Sequence, residues 1–285
     1  MAETSESKLP TNWVEKQEPK LLRTRPSVDL KSREATCEKH GTFTSTGLLG
    51  VWSMCPTCMD EIGQKAQRDR LEYEAQQEAR LFQQRIDAAG VPPRFVGKSF
   101  RDFKAVSPQQ KRVLQIVENY VSNFEATLKA GRCLMFLGSV GTGKTLLSSI
   151  MVQELLRVKR PAPEGYCRPG FTAYYGTALG IIRALRNTWR KDSSLSETDM
   201  LKRLSGVDLL AIDEIGMQLG SEAELTQLTE LIDLRYQNIK STIVISNLDL
   251  AGVERFLGVR AVDRLRENGG SMVAFDGKSW RGRNP

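Results

Sequence analysis

Within residues 137–147, "LGSVGTGKTLL", Gly138, Gly143, Lys144 and Thr145 stand at the spacing G-x-x-x-x-G-K-T. Residues of these types at this spacing can hold a polyphosphate. Glycines let the backbone curl so that successive N–H groups along Gly138, Ser139, Val140, Gly141, Thr142, Gly143, Lys144 and Thr145 face the ligand. The helix that follows adds the positive end of its dipole. Lys144 would contact the β- and γ-phosphates of a bound nucleotide, and the Thr145 hydroxyl would hold Mg²⁺.

A second stretch supplies the other half of such a site. In "VDLLAIDEIG" four apolar residues carry a strand through a sheet and deliver Asp213 and Glu214 at its C-terminal edge, where ligands of open α/β sheets bind. Asp213 is expected to bind Mg²⁺ through water, and Glu214 to orient or deprotonate the attacking water, so hydrolysis is expected as well as binding. The competing reading makes the two acids a cap for the next helix. In "STIVISNLDL" a third buried strand ends at Ser246 and Asn247, where an amide can reach the γ-phosphate or the lytic water. The alternative is an Asn cap on a helix starting near Leu248.

A different chemistry is concentrated near the start. The chain has five cysteines and one histidine. Cys37-x2-His40, fourteen intervening residues, then Cys55-x2-Cys58 is the ligand spacing of a structural Zn²⁺ site with all four positions filled by protein. Redox thiols or unliganded thiols are the alternatives. Cys133 and Cys167 receive no function. Arg183, Arg186 and Arg190 recur three and four residues apart in "ALGIIRALRNTWRKD", with Trp189 and Lys191 beside them. On one helix face they would suit the phosphates and bases of single-stranded DNA, or simply be a solvated face.

The elements that must position these residues alternate from Gly90 onward. "RCLMFLG", "FTAYYGT", "VDLLAIDE" and "STIVISN" read as short buried strands. "QQKRVLQIVENYVSNFEATLKA", "KTLLSSIMVQELLR", "ALGIIRALRNTWRK" and "EAELTQLTELIDLRYQ" read as helices. The pattern predicts an α/β fold with a parallel sheet covered by helices. "KRPAPEGYCRPG" reads as a loop. Residues 1–34, polar and with three prolines, read as a flexible basic arm. Residues 35–59 read as a zinc-binding module, 60–89 as a long, mostly solvated helix stopped at Gly90, and 90–285 as the ATPase domain.

The net charge of +7 favours a polyanionic partner. No apolar run approaches the roughly 18 residues of a membrane span, and the first residues lack the apolar core of a signal peptide. A cytoplasmic protein without a membrane partner is expected.

The order of these motifs, followed by "LGVRAVDRLREN" and "MVAFDGKSWRGR", resembles the AAA+ P-loop ATPases of the DnaC helicase-loader family, with IstB-type transposition regulators as close cousins. "AGVPPRFVGKSFRDF" resembles the entry into their ATPase core. The resemblance covers about residues 90–285. It implies an AAA+ core lacking most of the usual helical lid, self-association through ATP interfaces, and contact with single-stranded DNA, for which loader relatives use a helix equivalent to the one carrying Arg183. By position Arg264 in "VDRL" matches the family's arginine finger, with Arg260 the nearby alternative, and Arg281 in "SWRG" matches its second sensor arginine. A planar, always-charged guanidinium suits a γ-phosphate better than an ammonium does.

The function the resemblance implies is ATP-dependent loading of a replicative hexameric helicase onto single-stranded DNA. Residues 35–89 would grip the helicase, and hydrolysis across subunit interfaces would time loading. A zinc module that touches DNA is the competing use of that segment. IstB-like transposition targeting on duplex DNA is the alternative function.

Overall fold

The structure, a computed structural model, describes residues 30–158, 160–161, 167–168, 170–190, 192, 194–217, 222–277 and 279–280. The arm expected at 1–34 lies outside them up to residue 29, as do Lys191 and Arg281. The chain divides into two compact units, Met1–Tyr73 and Glu74–Pro285.

The first unit contains an antiparallel three-stranded sheet of β1 (Lys31–Cys37), β2 (Gly41–Leu48) and β3 (Val51–Trp52), in that order. Cys37 pairs with Gly41, which puts His40 in the β1–β2 turn. None of these strands was read from the sequence. "KSREATC" and "GTFTSTGL" alternate polar residues with few apolar ones, so the period-2 signal is weak. Trp52 lies across from Gly47, where a Cβ would come within 2.8 Å of its ring. The Arg33 guanidinium sits 4.2 Å from the ring centre. A 33-residue helix, α1 (Pro56–Ala88), follows. It starts four residues before the expected 60, because proline fits a first helical turn. The boundary between the units falls inside it.

The second unit begins with the last turns of α1. Arg85 donates to the carbonyls of Leu156 (2.5 Å) and Phe171 (2.9 Å), and Ile86 and Ala89 are buried. The helix expected over 109–130 is two, α2 (Pro108–Ser122) and α3 (Phe124–Lys129). A capping box between Ser107 and Gln110 sets the start of α2. Then come β4 (Leu134–Gly138), α4 (Lys144–Arg157), a small antiparallel pair β5 (Arg160–Pro161) and β6 (Cys167–Arg168) within the expected loop, β7 (Ala173–Thr177) and α5 (Ala178–Asn187). The chain continues through α6 (Glu197–Gly206), β8 (Leu209–Ile215), α7 (Glu222–Gln237), β9 (Ser241–Ser246), α8 (Leu250–Leu257), α9 (Val259–Arg266) and β10 (Ser271–Phe275).

The five long strands form one parallel sheet in the order β10-β4-β9-β8-β7. Successive residues of β4 feed opposite faces. Leu134 and Phe136 join a core with Ile150, Met151 and Phe275, while Met135 and Leu137 join one with Leu228, Leu231 and Val262. Helices therefore cover both faces, as the continuous apolar runs require. At the opposite edge from the glycine loop the sequence reading missed Arg235. It is fully buried on α7 and donates to Thr242 Oγ1 (2.9 Å) and to the carbonyls of Leu204 (2.7 Å), Val207 (2.9 Å) and Ser241. Burial pushes its pKa down to about 10.

Candidate functional site

The glycine loop runs from the end of β4 to the start of α4. Gly138 has φ 133°, and a Cβ there would come within 2.3 Å of the Phe275 carbonyl oxygen. Gly143 has φ 100°, and a Cβ there would come within 2.6 Å of the Phe103 ring. Both positions need glycine for conformation and for space. The curl puts the Lys144 ammonium at the mouth, where it donates to the carbonyls of Gly138 (2.6 Å) and Ser139 (2.7 Å). Thr142 Oγ1 donates to the Ser139 carbonyl at 2.8 Å. The backbone N–H of Trp280 donates to the Gly141 carbonyl at 3.0 Å, so the segment preceding Arg281 lies on this loop. A concave run of backbone with a lysine at its mouth and a helix N-terminus behind it fits a triphosphate.

Thr145 Oγ1 donates to Asp213 Oδ2 at 2.7 Å, and the N–H of Glu214 donates to Asp213 Oδ1 at 2.7 Å. A hydroxyl and a carboxylate at this distance are the oxygen donors that Mg²⁺ takes. Asp213 is buried and Glu214 exposed, although they are neighbours in one strand. A bulge between Ile212 and Ile215 produces this difference, and Glu214 there has φ 61°. The bulge turns the second acid out of the sheet toward the ligand edge. Ser246 fastens it, donating to the Ile215 carbonyl at 2.6 Å and accepting from the Leu248 N–H at 3.0 Å. Helix α7 begins only at Glu222, so neither acid lies in its first turn. Asn247 is exposed one residue beyond Ser246, whose partner across the β4–β9 ladder is Leu137. It is not the cap of α8, because Asp249 takes that role by accepting from the Gly252 N–H at 2.8 Å.

Arg264 is half-buried on α9, ion-paired to Asp233 of α7. Arg260 is exposed one turn earlier. The three DNA-candidate arginines do not share one helix face. Helix α5 ends at Asn187, where Thr188 turns back on the Leu185 carbonyl, so Arg190 lies beyond it and pairs with Asp192 (3.3 Å). Arg186 pairs with Glu224 at 2.7 Å, and Trp189 donates to Glu197 at 2.8 Å. Arg183 is exposed.

In the first unit the ligand atoms of Cys37, His40, Cys55 and Cys58 all lie within 4.8 Å of one another. His40 Nδ1 is 3.3 Å from the Cys58 sulfur, 3.6 Å from Cys55 and 3.7 Å from Cys37. A tetrahedral Zn²⁺ with sulfur at about 2.3 Å has ligand-to-ligand edges of about 3.7 Å, so the four fit such an ion. The N–H groups of Lys39 and His40 lower the Cys37 pKa, and that of Cys58 lowers the Cys55 pKa. The neighbouring Cys37 sulfur pushes Cys58 up to about 11. Sequence reasoning missed Glu61, whose Oε1 is 3.1 Å from His40 Nε2 and orients the ring with Nδ1 toward the sulfurs. The i, i+3 spacing of Cys58 and Glu61 on α1 was the available signal.

A glycine loop, an Asp-Glu strand and a parallel sheet with its first strand between the last two define an ATP-binding P-loop core of the AAA+ kind. Residues 68–284 match the family model described as IstB-like ATP binding protein, and the chain belongs to that family. It is 29% identical over 210 residues to the replicative helicase loader DnaC of Escherichia coli (strain K12), covering 74% of this chain and 80% of that protein. It is 28% identical over 225 residues to the replicative helicase loader DnaC of Buchnera aphidicola subsp. Schizaphis graminum (strain Sg), covering 78% and 86%. Among solved structures, a crystal structure of the DnaC helicase loader superposes with a TM-score of 0.54 at 22% identity, over 65% of this chain and 100% of that one. No described helix is long and apolar enough to cross a membrane.

Proposed function

We propose that this protein is an ATP-dependent helicase loader, acting on a replicative hexameric helicase and single-stranded DNA in DNA replication. The observation that carries the reading is the joining of a glycine loop and its Thr145–Asp213 pair to a separate Cys3His unit by α1, in a chain spanning most of the length of relatives named replicative helicase loader. The zinc module and the exposed part of α1, within residues 35–89, take the helicase.

The residues divide the work. The loop amides from Gly138 to Thr145 bind the phosphates, and Lys144 exchanges its carbonyl partners for phosphate oxygens. Thr145 and Asp213 hold Mg²⁺, which neutralises charge on the phosphates when bound. Glu214 orients the attacking water and accepts its proton, Asn247 reads the γ-phosphate, and Arg281 is assigned the second sensor role. Arg264, from a neighbouring copy, supplies charge to the transition state, so that hydrolysis waits for a docked neighbour. Arg183 and Arg186 meet DNA phosphates, Arg186 by leaving Glu224, and Arg190 extends that contact from the turn beyond.

The test is capture of the host replicative helicase by the purified chain, with ATP, with ADP and without nucleotide. Nucleotide-dependent capture supports the reading, and no capture in any state overturns it. The family model's description favours one second reading, IstB-like transposition targeting. Retention on duplex DNA with no helicase capture is its signature.

A further inference from the structure

Tyr175 of β7 belongs to no motif, yet it touches the centre of the site. Its hydroxyl donates to Asp213 Oδ2 at 2.6 Å, the same oxygen that accepts from Thr145 Oγ1. With the Glu214 N–H on Oδ1, both carboxylate oxygens are engaged and the side chain has one orientation. The ring is 5% exposed and packed in the apolar core beside Phe171 and Ala173. A phenylalanine would fill that volume, so the hydroxyl is the feature that needs a reason. A hydroxyl that donates a proton to Asp213 still has lone pairs for a cation, so Thr145 can do both while Tyr175 occupies the remaining direction.

The backbone of Tyr175 is fixed as well. Its N–H donates to the Ala89 carbonyl at 2.7 Å, just past the end of α1, and β7 pairs with β8 by setting Tyr175 opposite Ala211. The backbone that carries the hydroxyl is therefore held by the sheet on one side and by the residue after the long helix on the other.

We propose that Tyr175 is the positioning residue of the cation-binding carboxylate, fixing Asp213 so that it and Thr145 are preset to share one Mg²⁺. Tyr175 does not touch the nucleotide. The inference rests on the reading of Thr145 and Asp213 as the Mg²⁺ pair.

The experiment is a Mg²⁺ titration of equilibrium binding of a fluorescent ATP analogue to the full chain, with binding in EDTA measured on each variant as its own reference. Tyr175→Phe should raise the Mg²⁺ concentration for half-maximal tightening by about tenfold, the usual effect of losing a partner behind a metal ligand. Its affinity in EDTA should stay unchanged. Tyr120→Phe is the control, because Tyr120 is also buried and loses a hydroxyl bond of 2.7 Å, to the Arg132 carbonyl. It should lower stability and leave the Mg²⁺ curve in place. A Tyr175→Phe curve that superimposes on the wild-type one overturns the proposal, as does an equal shift in Tyr120→Phe. Asp213→Asn separates the two levels. If it too leaves the Mg²⁺ dependence unchanged, the site reading itself falls. If it shifts the curve and Tyr175→Phe does not, only the role of Tyr175 falls.

Discussion

Arg264 of α9 and Asp233 of α7 form an ion pair within one subunit, and the Arg264 guanidinium lies 5.2 Å from the centre of the Tyr236 ring. Asp233 and the ring fix the direction of this half-buried guanidinium, which on the proposed reading serves a neighbouring copy. Replacing Arg264 by Ala should leave ATP affinity unchanged and lower turnover by about 10³-fold or more. Mixing Arg264→Ala with Lys144→Ala chains should restore part of the turnover. In the mixed contact an intact arginine faces an intact phosphate loop. ATPase rates of the mixture and of each variant alone decide this, and no recovery would defeat action between subunits.

Glu214 occupies a left-handed conformation at φ 61°. Such backbone costs about 1 kcal/mol for a residue with a Cβ. Glu214→Gln should keep ATP binding while hydrolysis falls about 10²- to 10⁴-fold. Glu214→Gly should lose hydrolysis equally, yet resist denaturant better than Glu214→Gln. Activity and urea unfolding of the two variants check both halves.

The Cys3His cluster predicts about one zinc per chain by elemental analysis. Chelation should unfold the first unit and leave ATP-analogue binding by residues 74–285 in place, because the P-loop elements contain none of the four ligands. Glu61→Gln should weaken zinc about tenfold through the His40 ring, read by competition with a chromogenic chelator. A protein purified without zinc and unable to bind it would refute the site.

Gly90 has φ 70°, and a Cβ there would lie 2.4 Å from the Tyr175 carbonyl oxygen. Gly41 has φ 80° with nothing within 4 Å of a Cβ. Gly41→Ala should therefore cost only backbone strain, about 1 kcal/mol, and Gly90→Ala should cost about 2–3 kcal/mol more because β7 must move. Chemical denaturation of each unit reports the difference.

The local geometry of the candidate sites was legible in the chain itself. G-x-x-x-x-G-K-T, the apolar run ending in Asp213 and Glu214, and the Cys37 to Cys58 spacing each demand one geometry, because phosphate, an edge carboxylate and a tetrahedral ion admit few alternatives. The parallel sheet followed from continuous apolar runs separated by helices. Only the tertiary structure decided what depends on distant segments meeting. Tyr175 of β7 reaches Asp213 of β8, and Asp233 of α7 takes Arg264 of α9. Hydrogen bonds of this kind are set by three-dimensional proximity, and a periodicity along the chain carries no record of them.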